Sequence, residues 1–127
     1  MGTFRYGKGK AVVMKVYIIC PVRNIDKWQS EVIEDYVKGL EQKGYRVFYP
    51  QRDAPQNSKT GLEIVLAELE AIKSCDEVHI FWDINSKGSH FDLGMAIALN
   101  KPLNLALSFM PDGNSKSYEK VIKALQK

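Results

Sequence analysis

One acid, Asp92, has the chemistry and the surroundings to act on a substrate, and a second, Glu68, bears on the same question. Asp92 lies in Gly88-Ser89-His90-Phe91-Asp92-Leu93-Gly94, at the head of an apolar, alanine-containing segment, and Glu68 lies one segment earlier. A carboxylate near a helix N-terminus stays ionised, because the aligned peptide dipoles favour negative charge there. An ionised carboxylate that faces a pocket is a candidate nucleophile. The same spacing also has a structural meaning. Ser89-x-x-Asp92 fits a capping box, in which the two side chains satisfy orphan N–H groups of the first turn. Spacing alone leaves both roles open. Glu68 flanks the apolar positions Val65 and Ile72, so it reads equally well as a solvated acid at the edge of a helix face.

The elements around these acids decide whether they can meet. Lys15–Cys20 is a short β-rich apolar run closed by Pro21, which predicts a strand. Trp28, Val32, Ile33, Tyr36, Val37 and Leu40 recur at helical spacing, with Asp26 as N-cap and Gly44 as the stop. A second strand spans Tyr45–Tyr49, followed by a polar loop over Gln51–Lys59. A helix from Thr60 turns Leu62, Val65, Leu66, Leu69 and Ile72 to one face. Asp76–Trp82 forms a third strand, and a helix from Ser89 runs to about Asn100, where Lys101-Pro102 breaks it. Leu103–Ser108 is a fourth strand, Met110–Asn114 a turn, and Tyr118, Val121, Ile122 and Leu125 mark a last helix.

Strand–helix alternation of this kind predicts an α/β fold: a parallel sheet, helices on both faces, right-handed crossovers. Ligands of such sheets bind beyond the carboxyl ends of the strands. Those ends supply Arg23, Asn24, Arg52, Asp53, Asp83, Ser86, Ser89, His90 and Asp92. Two arginines and two serines beside a helix N-terminus make an anion pocket. The chain has no Walker A loop and no GxGxxG, so neither a P-loop site nor a dinucleotide fingerprint is present.

Composition narrows the remaining classes. The chain has 127 residues, enough for one domain with its own core. Its net charge of +3 sits entirely in residues 1–13, which carry Arg5, Lys8 and Lys10 and no acid. Removing those three from 18 basic residues leaves 15 against 15 acids, so residues 14–127 are neutral. We therefore expect a flexible basic extension over 1–13, a domain over 14–127, and no nucleic-acid partner. The apolar runs are too short to span a bilayer and no secretory h-region is evident, which predicts a soluble cytoplasmic protein without a membrane partner. Cys20 and Cys75 read as buried free thiols. No residues have metal-ligand spacing, and neither a metal nor a cofactor is expected. His79, mid-strand among apolar residues, reads as a core histidine, Asp76 as a turn residue, and Trp82 as a packing residue.

The segment Glu68-Leu69-Glu70-Ala71-Ile72-Lys73-Ser74-Cys75-Asp76-Glu77-Val78, taken with Gly88-Ser89-His90-Phe91-Asp92-Leu93-Gly94 and its continuation to Lys101-Pro102, resembles the nucleoside 2-deoxyribosyltransferase family. There, a strand introduced by an aspartate leads to a Gly-rich loop. The next helix opens with an acid, an aliphatic residue and Gly, and closes on Lys-Pro. Tyr17-Ile18-Ile19-Cys20-Pro21-Val22-Arg23 resembles the family's first strand and loop, and is most similar to the branch that hydrolyses 2'-deoxynucleoside 5'-monophosphates. The likeness covers most of residues 14–108.

The resemblance implies a Rossmann-like, flavodoxin-like three-layer fold with a parallel sheet of four to five strands. It implies that Asp92 attacks the anomeric carbon and forms a covalent glycosyl-enzyme, by the logic of retaining glycosidases. Glu68 orients the sugar and assists proton transfer. Arg23, Ser86 and Ser89 hold a 5'-phosphate, Tyr17 lies under the sugar or base, and Gly88 and His90 are further candidate substrate contacts. The implied activity is cleavage of the N-glycosidic bond of a (deoxy)nucleoside 5'-monophosphate. Base exchange between nucleosides is the alternative within the family, and a nucleotide or nucleotide-sugar binding module is the alternative outside catalysis. A homodimer or higher homo-oligomer is also implied. Three positions depart from the family pattern. Its nucleophile is usually Glu where this chain has Asp92, and its second acid is usually Asp where this chain has Glu68. Cys20-Pro21 replaces Gly or Ser in the first loop, adding a side chain and removing an N–H.

Overall fold

Strands β1 (Thr3–Tyr6) and β2 (Lys10–Val13) lie in the segment whose charge set it apart as an extension. They pair antiparallel, with Thr3 opposite Val13 and Tyr6 opposite Lys10. Sequence reading assigned no element here, yet Thr, Phe, Tyr and Val suit paired strands. The structure, a computed structural model, describes residues 3–6, 10–57, 59–110 and 116–126, with side chains from residue 12 onward. Lys8 therefore lies outside the described residues, as does the turn expected at 110–114 after Met110.

The main sheet begins with β3 (Lys15–Ile19), whose last four residues are all buried. Helix α1 (Lys27–Gln42) follows. Asp26 precedes it as N-cap, and Gln29 Oε1 accepts the Asp26 N–H at 3.0 Å. Gly44 closes α1 at φ 94°, a left-handed conformation that favours glycine, and lets the Tyr45 N–H return to Leu40 O at 3.1 Å. Strand β4 (Arg46–Phe48) is short. The next residues, expected as loop, form a single turn, α2 (Pro50–Asp53). Pro50 is preorganised for that first helical position, and Asp53 Oδ2 accepts the Tyr49 N–H at 2.8 Å.

Helix α3 (Leu62–Ser74) starts two residues later than expected, after Gly61 at φ 85°. Strand β5 (Glu77–Trp82), helix α4 (Lys87–Ala98), strand β6 (Leu103–Ser108) and helix α5 (Tyr118–Leu125) complete the chain. The strand order is β4-β3-β5-β6, and every pairing in this sheet is parallel. The order reverses at β3, which places a crevice beyond the carboxyl ends of β3 and β5.

Two apolar clusters hold the layers together. Ile33 and Val37 of α1 pack with Val16, Ile18, Val47 and Phe81 on one face. Ile72 of α3, Leu93 and Ala96 of α4, and Ile122 of α5 pack with Tyr17, Val78 and Ile80 on the other. This is the three-layer, flavodoxin-like α/β architecture, with four parallel strands among the described residues. Cys20 and Cys75 are both buried and unbridged. His79 is 5% exposed, between Tyr36 Oη at 2.6 Å and Glu77 Oε1 at 2.9 Å, a satisfied core histidine.

Lys101 has a role that its sequence neighbourhood did not reveal. Its Nζ donates to Lys73 O and Cys75 O, both at 2.8 Å, and so closes the open carbonyl end of α3. That end carries the negative pole of the helix on which Glu68 sits. Lys101→Met keeps the apolar stem and removes the charge. We expect it to destabilise the protein by about 1–2 kcal/mol. Urea unfolding should show a lower midpoint with an unchanged slope.

Candidate active site

The start of α4 decides what Asp92 can do. Spacing placed that start at Ser89, with Ser89 and Asp92 as a capping pair. The helix instead begins at Lys87, and Ser86 is the N-cap, its Oγ accepting the Ser89 N–H at 3.3 Å. Asp92 is thus the sixth helical residue, past the first four, whose N–H groups need capping. The capping expectation for Asp92 is overturned because Ser86, extended at ψ 104°, already fills that role. The Asp92 side chain turns into the protein and is 5% exposed. Tyr17 Oη donates to its Oδ2 at 2.8 Å, while its Oδ1 is buried without a hydrogen-bond partner.

Glu68, half-buried on α3, completes the group. Burial raises its affinity for a proton, and the charge of the neighbouring Asp92 raises it further. Burial also raises Asp92, but the bond from Tyr17 and the neighbouring Glu68 pull it partly back. The pair titrates as a unit: Asp92 ionises first, and one proton remains on Glu68 above the ordinary carboxylate range. Two carboxyls with separated proton affinities are the pattern of a base or nucleophile beside an acid. Burial, then the charges of Asp92 and Glu68, push the Tyr17 phenol far above its usual range, so it remains a donor. The Cys20 thiol is raised by the same causes and stays protonated.

These groups bound a cleft of about 890 Å³ beyond the carboxyl ends of β3 and β5. Of the residues expected at a site, Asp92, Glu68, Arg23, Asn24, Asp83, Ser86 and Gly88 line it. Tyr17 lies beneath Asp92, 0% exposed and stacked on Phe48 with ring centres 5.4 Å apart. Ser89 and His90 do not reach the wall. Ser89 is 1% exposed, and the His90 ring packs against Trp82 at 4.7 Å and Tyr118 at 5.1 Å. Arg52 and Asp53 pair with each other at 2.8 Å, and Arg52 also holds Glu41 at 3.0 Å, away from the cleft. Lys87, Gln56 and an apolar wall of Ile64, Val65 and Phe91 are cleft residues that the sequence did not assign to a site. Lys87 was hidden because the helix was taken to start after it. A second hollow, of about 910 Å³, opens beside β4 around Arg46 and Ala71, and neither Asp92 nor Glu68 lines it.

A model of the nucleoside 2-deoxyribosyltransferase family matches residues 16–124. The chain belongs to this family. Its fold is shared by the CMP N-glycosidase BcmB of Clostridium botulinum, at 22% identity and TM-score 0.62, over 88% of this chain and 82% of that one. It is shared by a 2-deoxyribosyltransferase from Bacillus psychrosaccharolyticus, at 22% identity and TM-score 0.66, with the same coverage. A conserved protein from Enterococcus faecalis aligns at 20% identity and TM-score 0.61, over 89% of this chain and 73% of that one. No curated protein matches. Among the described residues of this nucleoside 2-deoxyribosyltransferase family member, no helix is long and apolar enough to cross a membrane. No described group of three or more His, Cys, Asp and Glu residues could hold a metal ion.

The raised carboxyls make stability depend on pH in a defined direction. Between the ordinary carboxylate range and the raised values, the folded chain binds more protons than the unfolded chain. The contribution of this pair to stability is therefore greatest below the ordinary range and falls as pH rises through the folded values of Asp92 and Glu68. Asp92→Asn removes one carboxyl and relieves the other. Melting temperatures from about pH 4 to about pH 9 should fall less steeply in Asp92→Asn than in the wild type. Equal slopes would contradict the buried pair.

Proposed function

We propose that the protein cleaves the N-glycosidic bond of a (deoxy)nucleoside 5'-monophosphate through a covalent glycosyl-enzyme on Asp92. The observation that carries this reading is the state of Asp92. It is a buried carboxylate, held by Tyr17 through one oxygen and unpaired at the other, on a cleft wall beside a proton-bearing Glu68. The named activities of two proteins of the same fold, a CMP N-glycosidase and a 2-deoxyribosyltransferase, support the reaction class.

In the first step Asp92 attacks the anomeric carbon. A carbon–oxygen bond forms, the bond to the base nitrogen breaks, and Glu68 gives its proton to the departing base. In the second step Glu68, now a carboxylate, takes a proton from water as that water attacks the same carbon and frees Asp92. The product is a sugar 5-phosphate with retained configuration. Tyr17 fixes Asp92 Oδ2, so Oδ1 is the oxygen free to react. Arg23, Lys87 and Ser86 line the cleft and suit a phosphate, which favours a nucleotide over a nucleoside. Pro21, also on that wall, has no N–H to offer, so side chains and the α4 N-terminus carry the anion.

A panel of nucleoside 5'-monophosphates, followed by chromatography for free base, tests the reading. Asp92→Asn should lower base release by roughly 10⁴-fold or more. Brief incubation of the wild type should give a sugar-phosphate adduct on the intact protein by mass spectrometry. Ligand-induced thermal stabilisation without base release would support a binding module instead. A new nucleoside formed from an added second base would support transfer. The pH profile should be bell-shaped, rising as Asp92 ionises and falling as Glu68 loses its proton. Both limbs should lie above the ordinary carboxylate value of about 4.

A homodimer is part of the same proposal. From Gly88 to Asn100 the only acidic or basic side chain, histidine aside, is the buried Asp92. The outer side of α4 exposes Phe91, Ile97 and Leu99, and α3 beside it exposes Leu62 and Leu66. A helix apolar on all sides is normally covered, and a contiguous apolar patch marks an interaction surface. Sedimentation should show a dimer for the wild type and a monomer for Leu66→Glu combined with Ile97→Glu. A monomeric wild type would remove this part of the proposal.

A further inference from the structure

Ser86 has all but one of its hydrogen-bonding functions engaged. Its N–H donates to Asp83 O at 3.0 Å. Its carbonyl accepts two hydrogens from His90, the backbone N–H at 3.3 Å and the ring Nδ1–H at 2.7 Å. A carbonyl oxygen can only accept, so Nδ1 is the protonated ring nitrogen. Ser86 Oγ accepts the Ser89 N–H at 3.3 Å and lies 2.8 Å from Ser89 Oγ.

The direction of the serine–serine bond follows from burial. Ser89 is 1% exposed, and among the described residues Ser86 Oγ is the one acceptor in reach of its hydroxyl. If Ser86 donated to Ser89, the Ser89 hydrogen would be buried unsatisfied, at a cost of about 1–3 kcal/mol. With Ser89 donating, both lone pairs of Ser86 Oγ are filled. Its own hydroxyl hydrogen is then the single unspent function, on the wall of the cleft. The His90 ring cannot swing away without leaving Trp82, which is 2% exposed on β5, and the Tyr118 edge contact at 89° from α5.

We infer that Ser89 and His90 are positioning residues that hold Ser86 with its hydroxyl hydrogen turned to the cleft, for an anionic oxygen flanked by Arg23 and Lys87. The acceptor is a phosphate monoester, which offers only lone pairs where the protein offers donors. A second observation marks the same cleft as a ligand site: the Asp92 side chain, buried on its wall, has an unpartnered Oδ1. The inference rests on the reading of a 5'-phosphorylated substrate. It assigns Ser89 and His90 an indirect role, because neither touches the cleft.

Three variants test it: Ser89→Ala, His90→Phe and His90→Asn. Phe keeps a ring beside Trp82 and loses the Nδ1 donor, whereas the Asn amide puts an N–H close to that position. KM for a nucleoside 5'-monophosphate should rise about tenfold, the equivalent of about 1.4 kcal/mol, in Ser89→Ala and His90→Phe. Their kcat should stay within about twofold. KM for the matching unphosphorylated nucleoside should not move, and His90→Asn should restore most of the loss. Unchanged KM for the monophosphate, an equal rise for the nucleoside, or failure of Asn to restore would each overturn the inference. If the wild type releases no base, the N-glycosidase reading fails, and calorimetric titration of the same proteins with the nucleoside monophosphate decides this inference separately. Binding about tenfold weaker in the two variants sustains it. Equal binding, or no binding by the wild type, overturns it.

Discussion

The hydrogen bond from Tyr17 to Asp92 ties the central strand β3 to helix α4 at the floor of the cleft. A carboxylate this buried has lost most of its hydration, a cost of several kcal/mol for an unpaired ion. Tyr17 returns part of that cost through one strong bond, and Glu68 returns more while it carries a proton. The remaining oxygen of Asp92 has nothing. Folding therefore leaves an electrostatic need unmet at this place, and under the proposed reaction a carbon that gains positive charge would answer it. Preorganised charge aimed at developing charge is the usual origin of catalytic power.

The two acids depart from the family pattern in opposite senses. Asp92 is shorter than the usual nucleophile and Glu68 longer than the usual second acid, yet their carboxyls still interact closely enough to share a proton. Arg23 and Lys87 are exposed on the cleft wall, where Asp83 also stands, whereas Glu68 is half-buried and Asp92 buried.

Helix α4 serves several purposes at once. Its first turn organises Ser86, its second turn carries Asp92, its inner side fills the core through Leu93 and Ala96, and its outer side is uncharged. Such a helix has almost no amphipathic pattern. That is why its start was hard to read from sequence: with no polar face to mark the first turn, Ser89 and Ser86 are equally good caps by composition.

By itself, the sequence determined the alternation of strands and helices, the parallel sheet, the ends at which a ligand must bind, and the family motif around Asp92. These follow from periodicity, from capping and turn residues, and from short-range spacing. It assigned no strands to residues 3–6 and 10–13, and placed the starts of α3 and α4 two residues from where they fall. Tertiary structure alone decided that Asp92 is not a cap, that Tyr17 and Glu68 meet it, that Lys87 and Gln56 reach the cleft, and that His90 and Arg52 do not. The physical reason is distance along the chain. Tyr17 and Asp92 are 75 residues apart, and their bond exists only because β3 and β5 pair in register and α4 packs back across them. Proton sharing depends on the burial that results. The chemistry of each side chain was written in its type, but which atoms stay unpaired was settled only when the layers closed.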